Sequence, residues 1–141
     1  MSTTTNKINL QIITPEKVAY QGEADGVSIP TKSGEITVLA NHIPIISTMK
    51  HGELVIRNGK EEIFMAVCNG FIEVKKNCVI VMTDIAERID EIDEEKAKEA
   101  KEKAKKLLSE KDRLSDVAFA DTTAMLEKSL ARIKVARRKR R

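Results

Sequence analysis

The sequence predicts a β-sandwich followed by a helical hairpin. Apolar residues alternate with period two within residues 1–86, and all six Gly and all three Pro fall there. Residues 87–141 contain neither, and carry 17 Lys+Arg against 13 Asp+Glu where the first part holds 8 against 9. Two units follow: an antiparallel β-sandwich over 1–86, and an antiparallel α-helical hairpin with a basic tail over 87–141. A compact body with a thin charged appendage suits one part that docks permanently and one that moves.

The strands are read from their inward residues. Ile8, Leu10 and Ile12 share a face, as do Val27 and Ile29, Ile36 and Val38, Leu54 and Ile56, Ile63, Met65 and Val67, and Ile72 and Val74. The unbroken apolar run Cys78-Val79-Ile80-Val81-Met82 reads as a strand buried on both faces. Turn residues separate these runs: Thr14-Pro15, Gly22, Ser33-Gly34, Asn58-Gly59, Asn69-Gly70 and Lys76-Asn77. Asn58-Gly59 is the strongest, because a type I′ hairpin needs positive φ at both central residues. Between two of the strands, Asn41, His42 and Pro44 form a polar loop with an apolar tip, Ile43-Pro44-Ile45. That loop reads either as a plain connection, His42 satisfied by a carbonyl, or as a docking surface for a partner.

The helices are read from caps and charge pairs. Asp93 caps a helix opening with Glu94 and Glu95 and running to about Glu110. Glu94–Lys98, Glu99–Lys103 and Glu102–Lys106 stand at i,i+4, and the apolar stripe is thin: Ala97, Ala100, Ala104, Leu107 and Leu108. After a connector near Lys111–Ser115, Ser115 or Asp116 caps a second helix, with Phe119, Thr123, Leu126, Leu130 and Ile133 as its seam. Such narrow faces bury little area, so the attachment of the hairpin is expected to be weak.

Several function classes lose ground on composition. Aromatics are 3% and Trp is absent, which leaves no stacking platform for nucleic acid. No segment approaches the ~20 apolar residues of a membrane span, and the N-terminus lacks a hydrophobic signal region. Cys68 and Cys78 lie inside strand-like runs and read as buried reduced thiols of a cytosolic protein. No metal-ligand spacing, nucleophile motif or Gly-rich phosphate loop occurs. Metal and catalytic residues are therefore expected to be absent. The basic tail Arg137-Arg138-Lys139-Arg140-Arg141 keeps a nucleic-acid rival open, although Lys alternates with Glu along the first helix.

Three segments in order, GEITVLANHIPIIS, NGFIEVKKNCVIVMTDIAERIDEID and ARIKVARRKRR, resemble the epsilon subunit of the bacterial or chloroplast rotary ATP synthase. The resemblance runs from Ile8 to about Arg138. It implies a ten-stranded sandwich docked on the gamma subunit and the c-ring, rotating with gamma to couple proton flow to ATP synthesis. It implies a hairpin that either folds down on the sandwich or extends into the alpha/beta catalytic head and inhibits ATP hydrolysis. Membrane association is then through the complex only, on the cytoplasmic face of the inner membrane, without nucleic acid. The alternative within the family is a purely structural hairpin that never extends.

Carried onto this chain, the resemblance assigns docking to Glu35, Asn41, His42 and Pro44, and inhibitory contact to Arg132, Arg137 and Arg138. Asn41 stands where Gly is common in relatives, and Asn tolerates positive φ better than most residues. Some relatives bind ATP through an I-D-x-x-R-A motif. Here Glu87, Ile92, Asp93 and Arg132 match, while Lys96, Lys103 and Lys128 replace Arg. Lysine lacks the planar donor fork, so no cofactor is expected beyond weak regulatory ATP.

Overall fold

The computed structural model describes residues 6–110 and 114–140, with the side chains of Lys139 and Arg140 excepted. Part of the expected connector (111–113) and Arg141 lie outside the described residues. The strands are β1 (Ile8–Ile13), β2 (Val18–Ala24), β3 (Gly26–Thr31), β4 (Gly34–Leu39), β5 (Ile45–Met49), β6 (Gly52–Asn58), β7 (Glu61–Lys75) and β8 (Cys78–Arg88). A single turn of 3-10 helix (Ile89–Glu91) leads into α1 (Glu94–Ser109), then α2 (Asp116–Ala136), which runs into a last 3-10 turn at Arg137–Arg140.

The eight strands hydrogen-bond in the order β2-β1-β8-β7-β5-β3-β4, with β6 bridging β3 and β7. The expected count is ten; the difference lies in β7 and β8, which are long enough to serve both layers. The first half of β7 pairs with β6 and its second half with β5. The change of partner falls at Asn69 and Gly70, both at positive φ. Gly70 has no substitute there, since a Cβ would lie 1.8 Å from the Met82 carbonyl oxygen. Pairing is antiparallel except between β1 and β8, which run parallel. These strands lie far apart in the chain, so no tight hairpin dictates their direction.

The alternation places its residues as expected. Ile8, Leu10, Ile12, Val27, Ile29, Val38, Leu54, Ile56, Met65, Val67, Ile72 and Val74 are buried in one aliphatic core. Two turns differ from expectation. Asn58 pairs with Glu61, so Gly59 and Lys60 form the β6–β7 turn, and only Gly59 has positive φ. Asn58 instead accepts from Lys7 Nζ at 2.7 Å. The two-residue turn with positive φ at both positions is Lys76-Asn77, between β7 and β8. The run 78–82 is not buried on both faces either. Val79 and Val81 face the core, while Cys78 and Met82 are exposed on an outer face that no described element covers. Both cysteines are free, but only Cys68 is buried.

Both helix caps form as read. Asp93 Oδ1 accepts from the Lys96 amide at 3.2 Å, and Ser115 Oγ from the Ala118 amide at 3.1 Å. Of the three i,i+4 pairs only Glu94–Lys98 closes among the described residues, at 3.5 Å. The seam expected on α2 is only part of what it buries: Ile133 is buried, Thr123, Leu126 and Leu130 are half-buried and Phe119 is exposed, while Thr122, Ser129, Ala131, Val135 and Ala136 are buried besides. The reason is that α2 lies between two partners, α1 on one side and β6–β7 on the other. It needs two faces of small residues rather than one stripe of large ones.

Candidate functional site

Two surfaces stand out, an open apolar end of the sandwich and the face that α2 covers. The first is the loop between β4 and β5. Asn41 adopts φ 66°, and its amide donates to Asn77 Oδ1 at 2.6 Å, tying the loop to the β7–β8 turn. His42 Nδ1 lies 2.7 Å from the Ile43 carbonyl, which accepts its proton. With the backbone held at both points, Ile43 and Ile46 stand 72% and 77% exposed, beside an exposed Leu39. An apolar groove of about 480 Å³, lined by Pro44, Ile45, Ile46, Glu73, Val74, Lys75 and Lys76, adjoins them. Of the expected docking residues, Asn41, His42 and Pro44 cluster here. Glu35 does not, because it stands at the opposite end of β4, roughly 13 Å along the strand at ~3.3 Å per residue. Sequence reading missed the exposure of Ile46, and missed Phe71 and Met82, which are exposed together on the outer face of β7 and β8.

The second surface lies where α2 covers the outer side of β7. Residues 64, 66 and 68 point away from the core by alternation. Ala66 packs with Ile92, Ala131, Val135 and Ala136 in a small cluster flanked by Phe64 and Ile89. Three polar ties run along α2. Glu127 accepts from Asn69 Nδ2 at 3.2 Å. Arg132 donates from Nε and Nη2 to both oxygens of Glu87, at 2.8 and 2.7 Å. Arg138 does the same to Glu53, at 2.9 and 2.7 Å. The Glu53 side chain is only 7% exposed, and the Arg138 guanidinium lies 4.7 Å from the centre of the Phe64 ring. Cys68 sits beneath this helix. Burial first, then the nearby charges of Glu127 and Asp84, pushes its thiol up to about 11.

The residues expected to hold ATP are therefore already engaged or dispersed. Arg132 grips Glu87, Asp93 caps α1, Ile92 belongs to the apolar cluster, and Lys96 is exposed. Of the expected inhibitory cations, Arg132 and Arg138 are held against the sandwich, whereas Arg137 is exposed. Sequence reading missed Glu53 and Phe64, because nothing local marks a contact made 85 residues away. Among the described residues, no helix is long and apolar enough to cross a membrane, and no three potential ligands gather to hold a metal.

Comparisons with known proteins agree with this architecture. Residues 7–89 match the model of the ATP synthase delta/epsilon chain β-sandwich domain, and residues 90–137 that of the delta/epsilon long α-helix domain. The ATP synthase epsilon chain of Desulforamulus reducens is 41% identical over 127 residues, covering 90% of this chain and 95% of that one. The ATP synthase epsilon chain of Moorella thermoacetica is also 41% identical, over 130 residues, covering 92% and 96%. A chain in the cryo-EM structure of the Euglena gracilis mitochondrial ATP synthase (OSCP/F1/c-ring, rotational state 1) shares the fold. Its TM-score is 0.75 at 22% identity, covering 92% of this chain and 81% of that one. The chain belongs to the ATP synthase delta/epsilon family, as an epsilon-type subunit that is non-catalytic by itself.

Proposed function

We propose that this chain is a central-stalk subunit that couples rotation to ATP synthesis through its sandwich and restrains ATP hydrolysis through its hairpin. The sandwich docks on the gamma subunit and the c-ring by the Ile43–Ile46 end, and turns with gamma as protons flow. The helices release from β7, extend toward the alpha/beta catalytic head, and there oppose hydrolysis. The complex holds the chain at the cytoplasmic face of the membrane.

The observation that carries this reading is the contrast between the two contact surfaces. One is an open apolar end on a rigid core. The other is a small apolar cluster fastened by ion pairs, which is the construction of a reversible contact. Weak regulatory ATP at Glu87, Ile92, Asp93, Lys96 and Arg132 completes the proposal. Nucleotide must then exchange for Glu87 at Arg132, so Arg132→Gln abolishes it in an equilibrium titration.

Docking is tested by copurification with gamma. Fully burying one Ile contributes about 1.5–3 kcal/mol, so Ile43→Asp with Ile46→Asp weakens recovery by at least ~100-fold while the sandwich stays folded. Equal recovery of variant and parent removes this docking surface from the account.

A further inference from the structure

The loop between β4 and β5 takes its shape from a residue outside it. The Leu39 carbonyl accepts from the His42 amide at 3.2 Å, which closes a β-turn over Ala40 and Asn41. Asn41, the third residue of that turn, has φ 66°, while Ala40 keeps a negative φ. That combination is a type II turn. Type I closes the same hydrogen bond and differs by a flip of the central peptide, which carries the Ala40 carbonyl and the Asn41 amide. Type II requires positive φ at its third residue, which glycine adopts freely and asparagine only at a cost. Type I carries no such cost, so an asparagine there needs a further contact to stay in type II.

Asn77 supplies that contact. Its Oδ1 accepts from the Asn41 amide at 2.6 Å, from 36 residues away in the chain. The Asn41 amide is the group that the flip turns round, so this bond is made in type II and lost in type I. The anchor is itself fixed. Asn77 sits in the β7–β8 turn at φ 63°, and its carbonyl accepts from the Asn9 amide at 2.7 Å, which ties the turn to β1. Beyond Asn41, the strand pairing of β5 with β7 fixes Ile46 opposite Glu73, but His42, Ile43 and Pro44 precede that pairing. Their direction depends on how the turn before them is closed. Lys76, the neighbour of Asn77, lines the apolar groove together with Pro44, Ile45 and Ile46, so the same two turns meet again at the exposed apolar end.

We propose that Asn77 is a positioning residue for docking: it selects the type II orientation of the Ala40–Asn41 peptide and thereby fixes the aim of Ile43 relative to Ile46. This rests on the reading, given above, that the Ile43–Ile46 end meets gamma and the c-ring. A chain whose loop is competent in only a fraction of molecules binds more weakly by that fraction. One net hydrogen bond sets the size of the effect at about 3–10-fold.

The test titrates the full-length chain onto ATP synthase from which this subunit has been removed. Asn77→Gly keeps the β7–β8 turn, because glycine adopts φ 63° without strain, but deletes the acceptor. It should bind about 3–10-fold more weakly, exchange its Asn41 amide proton faster by a similar factor in nuclear magnetic resonance, and leave the circular dichroism spectrum unchanged. Asn77→Asp restores an acceptor on a residue that also tolerates positive φ, and should bind as the parent does. In an Asn41→Gly background the type II turn stands without help, so Asn77→Gly should there cost less than about twofold. Ile43→Asp with Ile46→Asp separates the two readings. If that variant loses binding while Asn77→Gly binds as the parent does, docking stands and the role of Asn77 is overturned. If it binds as the parent does, the docking end is misassigned and the proposal falls with it. Equal losses from Asn77→Gly in both backgrounds, or a loss in Asn77→Asp as large as in Asn77→Gly, also overturn the positioning role.

Discussion

The Arg138–Glu53 pair makes a prediction that a single thiol can read. Cys68 lies on the outer face of β7 beneath α2, fully buried, with its thiol pushed up to about 11. While the hairpin is docked, this thiol is protonated and covered. Undocking returns it to water and to the ordinary thiol range near 8.5, where alkylation is fast. The labelling rate of Cys68 therefore measures the open fraction. Hydrogen bonds to charged groups contribute about 1.5–3 kcal/mol. The Arg138 side chain is 37% exposed, so screening reduces this to about 1–2 kcal/mol. Glu53→Gln keeps the volume and one acceptor but removes the charge. Losing that stabilisation raises the open fraction about 5–30-fold. In a Cys78→Ser background, iodoacetamide labelling of Cys68 followed by mass spectrometry should accelerate by that factor. Glu95→Gln, which breaks the exposed 4.0 Å pair with Lys98 on α1, should change nothing. An unchanged rate in Glu53→Gln, or the same acceleration in both variants, refutes the assignment of Arg138–Glu53 as the fastening of the hairpin.

Two other perturbations bear on the sandwich. Gly70→Ala, forcing a Cβ against the Met82 carbonyl at positive φ, should destabilise the chain by about 3 kcal/mol or more in urea unfolding. Retention of parental stability contradicts the close approach of β7 and β8. At Asp25, the Gly59 amide donating to the carboxylate, with Lys7 beside it, holds the carboxyl below its usual range. Its folded value is thus lower than its unfolded one, so the stabilisation is present above about pH 4 and is lost as pH falls through the folded value. Asp25→Asn should lose less stability than the parent between pH 6 and pH 3 in urea melts; identical losses exclude this linkage.

Much of the sandwich was legible because alternation is local. Ile8, Leu10 and Ile12 announce their shared face without reference to any other strand, and Asp93 and Ser115 announce their helices by a bond made three residues ahead. Where a residue's partner lies elsewhere in the chain, legibility fell. Cys78 and Met82 look like core from composition, yet they stand exposed on a face that no described element covers, because an apolar run does not say which sides have neighbours. The second buried face of α2 was missed because Thr122, Ser129, Ala131 and Ala136 carry little hydrophobic signal, although Ala131 and Ala136 pack against Ala66. Asn41 was read correctly, since positive φ restricts residue choice at the position itself. The Glu53–Arg138 and Asn41–Asn77 contacts left no local trace, because ion pairs and side-chain bonds across 85 and 36 residues impose no periodicity.

The most direct test of the account holds the hairpin down. Cysteines at Ala66 and Ala131, which pack in one cluster, join α2 to β7 when a bifunctional thiol reagent is added to the assembled ATP synthase. The native cysteines are replaced by Ser at Cys78 and Ala at Cys68. If release of the hairpin restrains hydrolysis, the tethered enzyme hydrolyses ATP faster than the untethered one while its synthesis rate is kept. Equal hydrolysis with and without the tether contradicts a hairpin that works by leaving the sandwich.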